Sequence, residues 1–421
     1  MSSPTRRAVM AGAAVAPAAA AFPPPPTRDW AALARDEAHW ARVAALYDPP
    51  PAGVVQLENG QFGAMARSTR AAYELATARV NRETTLYTRG PVAADLAAVR
   101  ARAAALLGVA VDEIVFTRGA TESLQALIGG YNRLKAGDAV LYADLDYDAM
   151  QAAMEWLKAR RGVRVVKIDL PEPATREALI ETYDAALKAN PDVRMMLLTH
   201  LSHRTGLIPP VAEIAALARS RDVDVILDGG HALGQAEFRM ADLGVPFAGL
   251  NLHKWIGSPL GVGLIYIAKD RIADIDVSMS EAPSPRIEAR VHTGTVNYAA
   301  VLATAQAIEA HEAIGISAKA HRLRYLRDLW AEAIRGHPDY EVLTPPDPAM
   351  HAGLTSFRLK GRTSAAENRA LRELLFDRFR IFTIERFGVA RGACVRVTPG
   401  FVNTAADMER LVAALKALPG L

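Results

Sequence analysis

Two buried-strand patterns between Val223 and Ile267 constrain this chain more than any other feature. The run Val223–Leu227 has one polar interruption and places Asp228 just past its end. The run Phe247–Leu252 places Lys254 in a similar position. Short apolar runs bounded by glycine and polar residues predict strands that are buried on both faces. An acid and a lysine that each follow such a strand indicate a site at one edge of a sheet.

The combination of Asp228 and Lys254 suits pyridoxal 5'-phosphate. An aspartate beside the pyridinium nitrogen keeps the ring an electron acceptor. A lysine shielded from water is easier to deprotonate and can then form a Schiff base. Leu252-His253 precedes Lys254 and Trp255-Ile256 follows it, so we do not expect this lysine on the solvated surface.

Alternation of strand and helix patterns predicts an α/β fold. The seven predicted strands are Glu113–Thr117, Ala139–Ala143, Val163–Ile168, Met195–Thr199, Val223–Leu227, Phe247–Leu250 and Val262–Ile267. Apolar residues at helical spacing lie before and between them, at Thr69–Val80, Val92–Leu107, Thr121–Leu134, Asp148–Arg160, Arg176–Lys188 and Val211–Arg219. Near-continuous apolar strands separated by helices predict a mostly parallel sheet that is covered on both faces.

Two domains are expected for a chain of 421 residues. The large domain is predicted at 54–300. A smaller α+β domain is predicted from 27–53, which is amphipathic over Asp29–Leu46, together with 301–421. Its predicted elements are the helices Val301–Ile314, Ala318–Arg335 and Thr404–Leu418 and the strands around Leu354–Leu359 and Ala393–Val397.

Composition excludes several classes of protein. The net charge is +3 and the basic residues form no long run, so nucleic-acid binding is not indicated. The single cysteine, Cys394, excludes an internal disulfide and a multi-cysteine metal site. A zinc site is a competing interpretation, because five of the ten histidines lie between positions 200 and 292. However, no pair of them has the HExxH spacing that is typical of zinc ligands. These histidines are His200, His203, His231, His253 and His292.

The amino terminus predicts export. Arg6-Arg7 precedes an alanine-rich apolar run that ends at Ala21, and no acidic residue occurs before Asp29. Small residues at Ala18–Ala20 offer a cleavage site, and four prolines follow at Pro23–Pro26. Residues 1–26 are therefore predicted to be a twin-arginine signal and linker, read by the Tat machinery, which implies a periplasmic or secreted protein. The run is too short for a permanent membrane anchor. The alternative is a disordered Ala/Pro tail.

Polar residues also follow three other predicted strands, while the strand bodies are apolar. They are Arg118–Glu122, Asp144–Tyr147 and His200–Gly206. The turn Gly119-Ala120-Thr121 enters a helix and predicts a phosphate site, because the first helical N–H groups point outward and the Thr hydroxyl adds a donor. On this turn alone, Thr121 could equally be a helix N-cap.

These residues resemble the class V aminotransferase group of pyridoxal-phosphate enzymes of fold type I, which have an aspartate aminotransferase-like fold. The resemblance runs from about Val54 to the end. Asp228-Gly229-Gly230-His231 resembles a motif that implies Asp228 at the pyridine nitrogen and His231 near the phenolic oxygen. The segment 251–255, Asn-Leu-His-Lys-Trp, is most similar to the isopenicillin N epimerase-like branch. It implies that Lys254 carries the cofactor and that His253 neighbours the phosphate.

The same resemblance implies further site residues. Gly119, Ala120 and Thr121 are similar to the phosphate turn, although Ala120 replaces a frequent Thr. Tyr147 stands where the family stacks a ring on the cofactor, and His203 stands where an Asn often contacts the phenolic oxygen. Thr295 resembles a residue that reaches the phosphate of the partner subunit, which implies a homodimer with shared sites. Arg396 is similar to the arginine that clamps the substrate carboxylate.

The resulting hypothesis is an epimerase or racemase that acts at the α-carbon of an amino acid or amino-acid-bearing metabolite. Lys254 would be the base, and Tyr87 is a candidate second acid. A class V aminotransferase and a periplasmic enzyme that tailors a peptide siderophore are the alternatives. Kynureninase remains possible from residues 202–206, whereas an export signal does not fit isopenicillin N as the substrate. Desulfuration is disfavoured because Cys394 lies two residues before Arg396, and a non-catalytic cofactor-binding protein is disfavoured by the complete set of site residues.

Overall fold

The computed structural model describes residues 22–292 and 294–418. Most of the predicted export signal, together with Thr293 and residues 419–421, lies outside the described residues. Within the described ranges, none of the helices combines the length and the apolar character needed to cross a membrane.

Helices and strands alternate through most of the chain. The helices are α1 (Trp30–Arg35), α2 (Glu37–Ala44), α3 (Arg67–Thr88), α4 (Val92–Leu107), α5 (Ala120–Gly130), α6 (Asp148–Arg161), α7 (Arg176–Ala189), α8 (Val211–Arg219), α9 (Met240–Leu243), α10 (Tyr298–Ile314), α11 (Ile316–Ile334), α12 (Ala365–Phe379) and α13 (Ala405–Ala417). Short 3₁₀ turns occur at Val111–Glu113, Lys269–Asp274 and Ile287–Arg290.

The strands form three sheets. They are β1 (Val55–Gln56), β2 (Ile114–Thr117), β3 (Ala139–Ala143), β4 (Arg164–Ile168), β5 (Val193–Thr199), β6 (Asp224–Gly229), β7 (Phe247–Asn251), β8 (Gly263–Ile267), β9 (Tyr340–Val342), β10 (Thr355–Leu359), β11 (Ile381–Phe382), β12 (Ile384–Arg386) and β13 (Cys394–Val397). The large sheet has the order β2-β8-β7-β6-β5-β3-β4.

The predicted seven-stranded, mostly parallel sheet is confirmed. Strands β3 to β7 pair in parallel, and only β8 runs against its neighbours β2 and β7. The ends of all seven strands lie within two residues of the predicted ends. Sequence patterning succeeds here because β3 and β5 to β8 are buried on both faces, which requires a short, nearly unbroken apolar run.

Alternating residues of the sheet fill two separate cores. On β6, Val225 and Leu227 pack in one core with helix α8, whereas Ile226 packs in the other with Leu124 of α5. Burial of each such side chain contributes roughly 1.5–3 kcal/mol. The sheet is therefore held rigidly between two helical layers, and its strand ends have fixed positions.

The smaller domain is confirmed, and two elements make contacts across the boundaries predicted for it. β1 lies just after the predicted boundary at 54, yet it pairs with β11, and Val55 packs in the core of the smaller domain. Helix α10 crosses the boundary at 300, and its residues Ala307 and Ile308 pack in the large-domain core.

Helix α12 of the smaller domain was not predicted. The helical stretch from Asp29 breaks at Asp36, because this carboxylate caps α2 by accepting the N–H of His39 at 2.9 Å.

Candidate active site

Lys254 and His231 meet at the carboxyl ends of β6 and β7. Lys254 Nζ lies 2.8 Å from His231 Nε2. Burial, together with the charge of Arg396, lowers the pKa of Lys254 to about 7. Burial also holds the pKa of His231 well below its ordinary value, so this ring is neutral. A lysine in this state can act as a nucleophile or as a base near neutral pH.

Asp228 is buried at the end of β6, and its Oδ1 accepts the N–H of Gly230 at 2.9 Å. Burial raises the pKa of this carboxyl because the charged form loses its hydration. A cation placed beside Asp228 would reverse that effect. The position therefore fits a protonated pyridine nitrogen.

The turn that enters α5 is packed against the strand end that carries Lys254. A Cβ added to Gly119 would lie 3.3 Å from His253 Cε1, and one added to Gly263 would lie 2.5 Å from Gly119 Cα. Only glycine fits at position 263, and a side chain at position 119 would be tightly packed. His253 Nδ1 is 3.0 Å from the carbonyl oxygen of Val262, which fixes its ring beside the turn. Thr121 is exposed in the first turn of α5, where N–H groups have no intrahelical acceptor.

Asn251 joins the two halves of this site, and sequence reasoning gave it no role. Its Oδ1 accepts the N–H of Ala120 at 2.8 Å, and its Nδ2 donates to the carbonyl oxygen of Gly230 at 3.2 Å. One side chain therefore sets the distance between the predicted phosphate turn and the loop after Asp228. Its position at the very end of β7, in the sheet edge that carries the site, was the signal that could have found it.

Replacement of Asn251 by Ala should weaken cofactor binding about tenfold. The reason is that a buried N–H left without a partner costs about 1–3 kcal/mol, which loosens the turn. The dissociation constant of pyridoxal phosphate measured by absorbance titration checks this. Asn132→Ala is the matched control, because Asn132 also donates to a backbone carbonyl, that of Ala273, but does so on the exposed surface. Equal affinities of the two variants would contradict the bridging role.

Aromatic and imidazole rings line one side of the candidate site. Asp146 accepts the hydroxyl of Thr199 at 2.6 Å and the N–H of Ala143 at 2.7 Å, which fixes the turn that carries Tyr147. Tyr147 is 39% exposed, and its ring stands edge-on to that of His203, with the centroids 5.1 Å apart. The ring of His203 is in turn nearly parallel to that of His231, with the two ring centroids 6.5 Å apart. The structure thus brings Tyr147 and His203 to the same place as Lys254.

Arg396 of β13 reaches the site from the smaller domain and is buried. Its Nη1 donates to the carbonyl oxygen of His203 at 2.8 Å, and its Nη2 is hydrogen-bonded to Oε1 of Glu58. The loop that begins with Glu58 covers the guanidinium, since a Cβ at Gly60 would lie 2.5 Å from Arg396 Nη2. The same loop touches the lysine segment at Gly63, whose N–H donates to the carbonyl oxygen of His253 at 3.0 Å.

Two residues singled out from the sequence are not joined to this cluster within one chain. Thr295 is exposed. Tyr87 donates its hydroxyl hydrogen to Asp95 at 2.6 Å and carries the guanidinium of Arg79 on its ring. Among residues 22–292 and 294–418, no three His, Cys, Asp or Glu side chains are grouped closely enough to hold a metal ion.

Comparison with known proteins identifies the family. The family model for class V aminotransferases matches residues 64–375, and the chain belongs to this family. It is 30% identical over 404 residues to isopenicillin N epimerase of Streptomyces clavuligerus, with 90% of this chain and 98% of the relative covered. Identity to the isopenicillin N epimerase of Amycolatopsis lactamdurans is 28%, covering 76% of this chain and 84% of the relative.

Solved structures show the same fold. The cysteine desulfurase CsdA of Escherichia coli superposes with a TM-score of 0.75 at 22% identity and covers 91% of this chain and 99% of its own. A C-DES variant with glycine covalently linked to the PLP cofactor gives a TM-score of 0.74 at 21% identity, with 86% and 96% covered. The fold is that of fold type I enzymes that use pyridoxal phosphate.

This protein is therefore a class V enzyme that depends on pyridoxal phosphate. The residues present fit that cofactor. His231 Nδ1 is buried without a hydrogen-bond partner among the described residues, the Asp228 carboxylate is destabilised until a cation joins it, and the Gly119 turn leaves helical N–H groups for a phosphate. We propose that Lys254, Asp228, His231, His253, Tyr147, His203 and residues 119–121 hold the cofactor.

The lowered pKa of Lys254 predicts how cofactor uptake depends on pH. Only the neutral amine can attack the cofactor's aldehyde carbon, and its fraction rises with pH through about 7 rather than near 10.5. We expect the rate of uptake by the apoprotein to rise up to about pH 7 and then to level off. Stopped-flow absorbance measures this, and the same reaction with free butylamine corrects for ionisation of the cofactor. A rate that still climbs steeply between pH 8 and pH 10 would contradict the assignment.

Proposed function

We propose that this protein is an epimerase or racemase that exchanges the proton at the α-carbon of an amino acid or of a metabolite carrying an amino-acid end. The observation that carries the proposal is the buried Lys254 amine with its pKa near 7, hydrogen-bonded to neutral His231. The similarity to the two isopenicillin N epimerases over most of the chain supports the same choice.

Each residue of the candidate site has a definable task in that reaction. The bound cofactor supplies an aldehyde carbon that takes the substrate's amino group and a ring that accepts electrons. Lys254 Nζ removes the α-proton, and Asp228 keeps positive charge on the ring nitrogen. Arg396 orients the substrate carboxylate with its fork of N–H donors. Inversion of the α-carbon also requires a second acid that delivers a proton to the face opposite Lys254.

Desulfuration needs a reactive thiol, which this chain does not offer. Cys394 is the only cysteine of the sequence. It is buried in β13 with its Sγ 3.7 Å from the carbonyl oxygen of Arg204. Burial raises its pKa to about 11, so the thiolate is scarce at neutral pH. The likeness to cysteine desulfurases therefore concerns the fold.

A screen in heavy water tests the proposed function. The holoenzyme is incubated with single enantiomers of amino acids without any keto acid. Deuterium at the α-carbon together with a change of configuration is the expected result. Conversion of the bound cofactor to its amine form without inversion would instead establish an aminotransferase. Inactivity with simple amino acids but turnover of a peptide siderophore precursor would establish the tailoring alternative.

We also propose that the twin arginines direct export to the periplasm or beyond. Conversion of both Arg6 and Arg7 to Lys should retain the protein in the cytoplasm, since the Tat receptor reads the arginine pair. Cell fractionation with immunoblotting measures the distribution. A variant with Arg28→Lys, outside the signal, is the control. Unchanged export of the double variant would refute this proposal.

A homodimer with shared sites is a further part of the proposal. Thr295 is exposed in the single chain, and the family resemblance implies that it reaches the phosphate of the partner subunit. We expect light scattering to give the mass of a dimer and Thr295→Ala to weaken cofactor binding. A monomer with full activity would contradict the shared site.

A further inference from the structure

Two arginines and one glutamate form a buried cluster that the proposed mechanism uses only in part. Glu58 Oε1 is hydrogen-bonded to Arg396 and lies 3.5 Å from Nη2 of Arg386. Ile384 of β12 pairs directly with Arg396 of β13, so Arg386, two residues further on, lies on the same face of the sheet. We call Arg386, Glu58 and Arg396 the arginine–glutamate triad.

The triad has unused hydrogen-bonding capacity. Nε of Arg386, Nε of Arg396 and Oε2 of Glu58 are all buried, and none has a hydrogen-bond partner within the described parts of the chain. Two guanidinium groups and one carboxylate give a net charge of +1. Burial and the neighbouring Arg396 also lower the pKa of Arg386 to about 10. One more carboxylate would balance the charge and take up the remaining N–H donors.

Glu58 stands in the way of that carboxylate. It already occupies the Nη2 end of Arg396, and the backbone at Gly60 closes over the guanidinium. A substrate that brings its own carboxylate must therefore displace Glu58. Arg386 is the nearest cation that could receive the displaced side chain, because it is within 3.5 Å of Glu58 Oε1.

We propose that Glu58 determines the substrate range of this site by acting as an exchangeable counter-ion. A substrate carboxylate takes its place on Arg396 while Glu58 moves to Arg386. An amine without that carboxylate binds with Glu58 left on Arg396, so the same pocket serves α-amino acids and simple amines. The inference rests on the proposed function for the identity of the reacting group, but the triad itself can be tested without catalysis.

Binding of sodium propionate to the holoenzyme, measured by calorimetry, isolates the carboxylate from the amino group. Glu58→Gln removes the competing charge and keeps the shape of the side chain. We expect this variant to bind propionate about tenfold more tightly than the unmodified protein, because a hydrogen bond to a charged group no longer has to be exchanged. A merely structural Glu58 would give weaker binding instead. Equal affinity, or no binding by either protein, would overturn the proposal.

Two further variants locate the effect. Glu385→Gln is the matched control, because Glu385 is the neighbour of Arg386 on β12 but pairs with Arg369 and Arg372 of α12. It should leave propionate binding unchanged, and an equal gain in this variant would overturn the proposal. Arg386→Gln alone should weaken propionate binding, because the displaced Glu58 then has no arginine to pair with. In a protein that already carries Glu58→Gln, the same change should have little effect. Additive effects of the two changes would contradict the exchange.

These outcomes are independent of the heavy-water screen. Propionate has no amino group, so its binding does not depend on proton exchange at an α-carbon. Absence of exchange with tighter propionate binding by Glu58→Gln would reject the epimerase proposal and retain the triad. Exchange of the α-proton together with unchanged propionate binding by Glu58→Gln would retain the epimerase proposal and reject the triad.

Discussion

Replacement of Lys254 by Ala should reduce exchange of the α-proton by about 10³-fold or more, since a positioned base alone contributes roughly 10²–10⁴-fold. The variant also loses the amine that holds the cofactor, so the visible absorption band of the linked cofactor should disappear. The buried position of Lys254 beside His231 leaves no other amine within hydrogen-bonding distance of that ring among the described residues. Deuterium uptake followed by mass spectrometry, together with an absorption spectrum, checks both effects.

A small amine distinguishes loss of the base from loss of the fold. Added methylamine fits the space left by the lysine side chain and should restore part of the exchange to Lys254→Ala. The thermal midpoint of the apoprotein should not fall in the variant, because the buried ammonium form of Lys254 was already disfavoured. Full activity of the variant without an added amine would show that Lys254 is not the base.

Replacement of Asp228 by Asn should lower turnover by about 10²–10³-fold, the range expected when one preorganised electrostatic contact is removed. An amide keeps the size of the side chain but cannot hold a positive charge on the ring nitrogen. Because burial raises the pKa of Asp228, loss of the charge should not destabilise the apoprotein. Steady-state kinetics of the holoenzyme, with cofactor occupancy determined separately, measures the effect.

Asp224 provides the matched control on the same strand. It begins β6, at the end of the strand opposite Asp228. There it accepts a hydrogen bond from the hydroxyl of Tyr131 at 2.6 Å and pairs with Arg271. Asp224→Asn should reduce stability and leave turnover per bound cofactor unchanged. If Asp224→Asn and Asp228→Asn lost activity equally, a general effect on the sheet would explain both.

Much of this arrangement could be predicted because its information is local. A strand such as Phe247–Asn251 is buried on both faces, and its apolar run and its chemically active end stand next to each other in the sequence. Parallel strands then bring their ends to one edge, which places Asp228, Lys254 and Tyr147 near each other without knowledge of any loop. The predicted and observed bounds of helix α4 are the same, because apolar residues recur at helical spacing along its whole length.

What could not be predicted depends on contacts between distant positions. Glu58 and Arg396 are 338 positions apart, and no local pattern indicates that they meet. The pairing of β1 with β11 is of the same kind, because it joins segments that are far apart in the sequence. Helix α12 begins at a capping box formed by Ser364 and Glu367, a local signal that can indicate the start of a helix.

Peptide mapping of the cofactor-bearing lysine is the most direct test of the site. A second lysine, Lys319, competes for the assignment, because burial also lowers its pKa to about 7 and its Nζ lies 3.0 Å from His311 Nδ1. Borohydride reduction of the holoenzyme fixes the cofactor to the lysine that carries it, and digestion with mass spectrometry identifies the modified residue. We expect the modification on Lys254. Modification of Lys319 with Lys254 unmodified would contradict the placement of the active site at the ends of β6 and β7.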